Sequence, residues 1–150
     1  MRKRCALAIL LLVALNLSLA AEQSNTSIVA GEIAKPLTTT PGDPLRGRGI
    51  VASRQTGLCL LCHSGPFPEE RFQGNLAPEL SQSVSRYTVP QLRARIVDAS
   101  YFNSQTIMPA YYRTDHLHRV AAKFAGQTIL NEQEIEDVVA FLATLNTSKP

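Results

Sequence analysis

The sequence predicts an all-α domain of short helices and long loops, carried behind an extended N-terminal arm. Three observations predict it. Helix-start signatures recur at Gly42-Asp43-Pro44, Thr88-Val89-Pro90-Gln91 and Asn131-Glu132-Gln133-Glu134, each setting a side-chain oxygen ahead of residues suited to a first helical turn. Apolar residues after the last two signatures return at helical spacing, and no stretch alternates long enough for a convincing strand. The chain of 150 residues is 45% hydrophobic and 18% charged, the composition of one ordered domain rather than a disordered segment. A few short helices make a meagre core by themselves, so something besides side chains is expected to fill it.

The first segment reads as an address. Met1-Arg2-Lys3-Arg4 precedes an apolar run from Cys5 to Leu15, and small residues follow at Ser18 and Ala20. That order is a secretory signal with cleavage after Ala20, predicting residues 1–20 as signal peptide. An uncleaved membrane anchor is the alternative, but the run is shorter than the ~20 residues a bilayer requires. Charge supports the same division. The formal +3 includes Arg2, Lys3 and Arg4, so a chain beginning at Ala21 holds twelve basic and twelve acidic residues and is formally neutral. Nothing in that balance points to nucleic acid or a membrane surface.

Residues 21–41 are rich in Ser, Thr and small side chains without a helical period, and read as an extended arm or linker, either disordered or laid along a partner. The domain proper is expected from 42 to 150. Asp43 caps a first helix with Pro44 at its first position, and Gly47 and Gly49 inside it call for close approach by another helix. Gly65 to Ser85 reads as a loop. The Thr88 capping box then opens a helix whose Leu92, Ile96, Val97 and Ala99 form one apolar face. The last helix repeats Ile135, Val138, Val139, Leu142 and Leu145.

Chemistry concentrates in Cys59-Leu60-Leu61-Cys62-His63, a C-x-x-C-H sequence and the attachment signal of c-type haem. Two thiols separated by two residues reach the two vinyl groups of one porphyrin, and the next residue then stands beneath the iron as proximal imidazole. Covalent attachment takes place outside the cytoplasm, in agreement with the signal segment. A dithiol redox site would sit near a βαβ pattern, which is missing. A zinc site made from Cys59, Cys62, His116 and His118 would leave His63 unexplained.

The candidates for a sixth iron ligand are Met108, His116 and His118. Met108 is preferred because Pro109 stiffens its loop and because it is the sole methionine after Ala20. Histidine–methionine ligation leaves no open position, which suits electron transfer rather than ligand binding. Arg93, Arg95, Arg113 and Arg119 are candidates for pairing with haem propionates or docking a partner, with solvated surface as the plainer alternative. Tyr111 and Tyr112 are expected to line the haem pocket or its rim.

From Gly42 to Leu145 the chain resembles a class I cytochrome c. The resemblance implies a fold of short helices packed around one covalently attached haem c, and a loop at Leu76-Ala77-Pro78-Glu79-Leu80 whose Pro78 carbonyl would accept a hydrogen bond from His63. Two departures are the long gap between Val51 and Cys59 and Ala77 where glycine is usual. More narrowly, Gly57 to Gly74, Gln91 to Asp98 and Ile107 to Arg113 resemble the SoxX family, the monohaem subunits of SoxAX cytochrome complexes.

That resemblance implies a heterodimer with SoxA in the periplasm. It implies membership of an L-cysteine S-thiosulfotransferase that couples thiosulfate oxidatively to a cysteine of the SoxYZ carrier. A small cytochrome c would be the electron acceptor. In the family the sulfur chemistry is held to lie in SoxA, while SoxX receives electrons. The inventory here agrees. With Cys59 and Cys62 used as thioethers and Cys5 removed, no thiol remains for a sulfane adduct, and no catalytic residue is expected in this chain. A freely diffusing haem carrier and a haem-based sensing module are the alternatives.

Overall fold

The computed structural model describes residues 26–115, 117 and 119–146; the expected signal peptide, His116 and His118 lie outside them. Four α-helices occur among the described residues: α1 Pro44–Ala52, α2 Leu80–Val84, α3 Val89–Val97 and α4 Glu132–Thr144. Short 3-10 turns lie at Cys59–Leu61, Ala99–Tyr101 and Ala122–Phe124. The sole extended pairing among the described residues is an isolated bridge between Val29 and Glu32.

The helices begin where their caps require. The Asp43 carboxylate accepts from the Leu45 and Arg46 backbone N–H groups at 2.8 and 3.3 Å. Reciprocal capping boxes open α3 through Thr88 and Gln91, and α4 through Asn131 and Glu134. A difference from the sequence reading is α2, a five-residue helix within the stretch expected to be loop. Glu79 caps it, its carboxylate accepting from Gln82 N–H at 2.9 Å. Five residues are too few to show a helical period.

The apolar faces of α3 and α4 meet in one cluster, with Leu92, Ile96 and Val97 from α3 and Ile135, Val138 and Leu142 from α4. Helix α1 crosses α4 at Gly47. A Cβ built there would stand 1.9 Å from the Asp137 carbonyl oxygen, so the helices approach to a distance only glycine permits. Gly49 has no such role, since a Cβ on it meets nothing within 4 Å. Arg46 locks the same crossing, its Nε 2.7 Å and its second guanidinium nitrogen 2.9 Å from the Asp137 carboxylate.

The described part of the arm, from residue 26 onward, lies on the domain itself. Ile33 is 2% exposed and joins the core cluster. Its N–H donates to Pro90 O at 3.1 Å, and its carbonyl accepts from Arg93 at 2.8 Å. Arg93 also donates from Nε to Glu136 at 2.6 Å, and Glu136 accepts from Leu37 N–H at 2.9 Å. A buried ion pair between α3 and α4 thereby clasps the arm. No helix among the described residues is long and apolar enough to cross a membrane.

Candidate cofactor site

Between α1 and the motif the chain reverses through Leu58, whose φ of 60° is left-handed, and enters the 3-10 turn. Cys62 N–H donates to Cys59 O at 3.1 Å and His63 N–H to the same oxygen at 2.9 Å, so one tight turn sets the two thiols and the imidazole in sequence. Leu60, 2% exposed, pins this turn into the core. The chain beyond folds back on it at Gly74, where a Cβ would stand 2.3 Å from Leu61 O. Gly74 N–H donates to Leu60 O at 2.8 Å and Ala77 N–H to Cys62 O at 3.0 Å. Gln73 braces the intervening loop, accepting from Gly65 N–H and donating to Phe67 O.

That fold-back carries Pro78 to the imidazole. His63 Nδ1 lies 2.7 Å from Pro78 O. A carbonyl can only accept, so the ring proton sits on Nδ1 and Nε2 keeps its lone pair for another partner. His63, Pro78 and Met108 line one cavity of about 250 Å³, with Leu80 from α2, Leu92 and Ile96 from α3, and Leu142 from α4. The Met108 loop is tethered on both sides. Met108 N–H donates to Thr106 Oγ1 at 3.2 Å, and Tyr111 and Tyr112 N–H groups donate to Ile96 O and Val97 O on α3.

Cys59 and Cys62 are free, half-buried thiols. Burial pushes the Cys59 thiol up to about 11, outweighing the hydrogen bond with Tyr111, which acts the other way. It is therefore protonated at neutral pH, unlike the thiolate of a disulfide-exchange site. The Tyr111 hydroxyl donates to Gly57 O at 2.5 Å and lies 3.9 Å from Cys59 Sγ. Burial, then the neighbouring Cys59, raises its pKa, so it stays a neutral donor. Neither Tyr111 nor Tyr112 lines the cavity; the Tyr112 hydroxyl bonds Glu132, and burial followed by that carboxylate pushes it up to about 12.

The four arginines singled out from the sequence separate. Arg93 is buried against Glu136, Arg113 bridges Asp98 and Asp115, and Arg119 is exposed with φ 62°. Arg95 alone of them lines the cavity, where its Nε is buried without a hydrogen-bond partner. Arg86 also lines it. Nothing in Ser85-Arg86-Tyr87 marks that role, because it depends on where α2 turns into α3.

An apolar cavity, an imidazole with Nε2 available, a thioether, two adjacent thiols and an orphaned cationic donor fit a haem with its propionates. Helices of this order closing on a C-x-x-C-H turn define a class I cytochrome c fold. No family model and no curated protein matches the chain. Among solved structures it matches the crystal structure of SoxXA from P. pantotrophus with a TM-score of 0.73 and 38% sequence identity, over 80% of this chain and 93% of that one. The chain belongs to the SoxX family of cytochrome c subunits.

Proposed function

We propose that this chain is the periplasmic electron-transfer subunit of a SoxXA-type complex and carries one haem c. The observation that carries this reading is the cavity shared by Met108 and by His63 with its Nδ1 engaged to Pro78. Bound there, a haem supplies a one-electron iron couple. Cys59 and Cys62 would hold it through thioethers, and His63 Nε2 and the Met108 sulfur would bind its iron. The Pro78 carbonyl keeps the imidazole proton on Nδ1 and raises the basicity of the ring. Leu92, Ile96 and Leu142 keep water from the cavity wall.

With both thiols so engaged and Cys5 removed with the signal peptide, no cysteine is left as a nucleophile for sulfur. The coupling of thiosulfate to a SoxYZ cysteine then belongs to a SoxA-type partner. Electrons pass through this subunit toward a small cytochrome c. The match to a SoxXA structure supports such a partner.

The test is purification of the native chain from its source. We expect a haem-staining subunit whose mass equals residues 21–150 plus one haem, copurifying with a SoxA-type subunit. Thiosulfate should reduce it only in that company. Full thiosulfate turnover by the isolated chain, or a chain that travels alone, would overturn the assignment.

A further inference from the structure

The geometry points to Tyr111 as a positioning residue that ties the Met108 loop to the turn holding the thiols and the imidazole, an inference that rests on the haem reading above. Tyr111 is 3% exposed and lies three residues beyond Met108. Its hydroxyl donates to Gly57 O at 2.5 Å, two residues before Cys59. Among the described residues, every hydrogen bond between residues 106–112 and residues 53–63 comes from this side chain, the other being its 3.9 Å contact with Cys59 Sγ.

Both ends of the tie are held by other bonds. Tyr111 N–H donates to Ile96 O at 3.2 Å, and its carbonyl accepts from Ile129 and Leu130 N–H at 2.9 and 3.1 Å. Gly57 is pressed against α1, where a Cβ would stand 2.1 Å from Ile50 O, and Leu58 N–H donates to Ser53 O at 2.9 Å. The hydroxyl therefore meets an acceptor already in place, and forming the bond orders little beyond one side chain. Cys59 Sγ donates to the same carbonyl at 3.3 Å. A thioether has no hydrogen to give, so once Cys59 is attached to haem, Tyr111 is the remaining side-chain donor to Gly57 O. A buried carbonyl that loses its donor is costly. As core filler the ring would suffice and phenylalanine would serve equally; as a tie, the oxygen is what matters.

The experiment uses the haem-loaded chain as wild type, Tyr111→Phe and Ile135→Val. Ile135 is fully buried on α4 and does not line the cavity, so its variant lowers stability without touching the tie. Haem stain and intact mass of the wild type come first: a chain without haem overturns the functional reading and this inference with it. Imidazole added to the oxidised protein then takes the sixth iron position only as Met108 leaves it, so its binding rate reads how firmly the loop is held. Tyr111→Phe is expected to keep its haem and its methionine-to-iron absorption and to bind imidazole about tenfold faster than wild type, the weight of one buried hydrogen bond. Ile135→Val is expected to lower the urea midpoint and bind imidazole at the wild-type rate.

A loaded Tyr111→Phe protein with the wild-type rate overturns this inference and leaves the haem reading standing. So does an equal acceleration in Ile135→Val, the outcome expected if the loop merely follows overall stability. A loaded wild type without the methionine-to-iron absorption overturns it as well. Should Tyr111→Phe fail to accumulate, proton NMR of the reduced wild type decides. A slowly exchanging Tyr111 hydroxyl proton in contact with Gly57 and Cys59 supports the tie, and one that exchanges freely with water overturns it.

Discussion

One hydrogen bond, from His63 Nδ1 to Pro78 O at 2.7 Å, decides which face of the imidazole is left for chemistry. Opposite it in function stands Met108, held by a threonine hydroxyl before it and a proline after it. Replacing Met108 with alanine is expected to abolish the methionine-to-iron absorption at the red end of the visible spectrum of the oxidised protein. An unchanged spectrum would refute the ligand. Glu136 carries a different weight, since it and Arg93 are a buried pair that also holds Leu37 N–H and Ile33 O of the arm. Glu136→Ala strands a buried guanidinium and is expected to cost about 3–5 kcal/mol in chemical denaturation. Arg93→Met with Glu136→Leu should recover only part of that, because the two arm backbone groups lose their partners.

Helix α1 is short and carries two glycines with opposite fates. At Gly47 the Asp137 carbonyl occupies the space a methyl would need, while at Gly49 a methyl meets nothing. Gly47→Ala must push α1 off α4 and is expected to cost about 3 kcal/mol or more. Gly49→Ala should stabilise the protein by up to about 1 kcal/mol, because alanine restricts the unfolded chain and suits a helix. Thermal unfolding of the two variants side by side checks both signs. Helices α2 and α3 matter through what they present: Glu79 caps α2 directly after Pro78, so the start of that helix and the imidazole's acceptor are set by one stretch of backbone.

Over the whole molecule, the acidic groups that join distant segments set the response to pH. Burial acts to raise the Asp137 carboxyl, but Arg46, Asp43 N–H and Gln133 together hold it below the usual range. Asp98 behaves alike, with Ser100 and Arg113 outweighing its burial. A carboxylate depressed in the folded state stabilises it fully above its unfolded pKa, about 3.9, and ceases to as pH falls through the folded value. The urea midpoint is therefore expected to stay level from about pH 7 to 5 and to drop below about pH 4. Asp137→Asn should lower the midpoint at neutral pH and flatten the acid limb. A drop of the same steepness in that variant would remove Asp137 from the account.

Much of this protein is local and was open to reading. Three helix starts follow from capping chemistry within four residues of each cap, and the C-x-x-C-H spacing points to the proposed cofactor because the thiols and the imidazole share one turn. The all-α class and the family resemblance follow from such short-range features. What only the tertiary structure decided are the pairings across long stretches of chain. The arm lies on α3 and α4 because Ile33 and Leu37 meet a buried ion pair whose members are 43 residues apart. Of four candidate arginines, Arg95 alone reaches the cavity, because three elements separated in sequence converge beside it. Side-chain type and local spacing define what a residue can do; burial and the company it keeps depend on contacts that no short window of sequence contains.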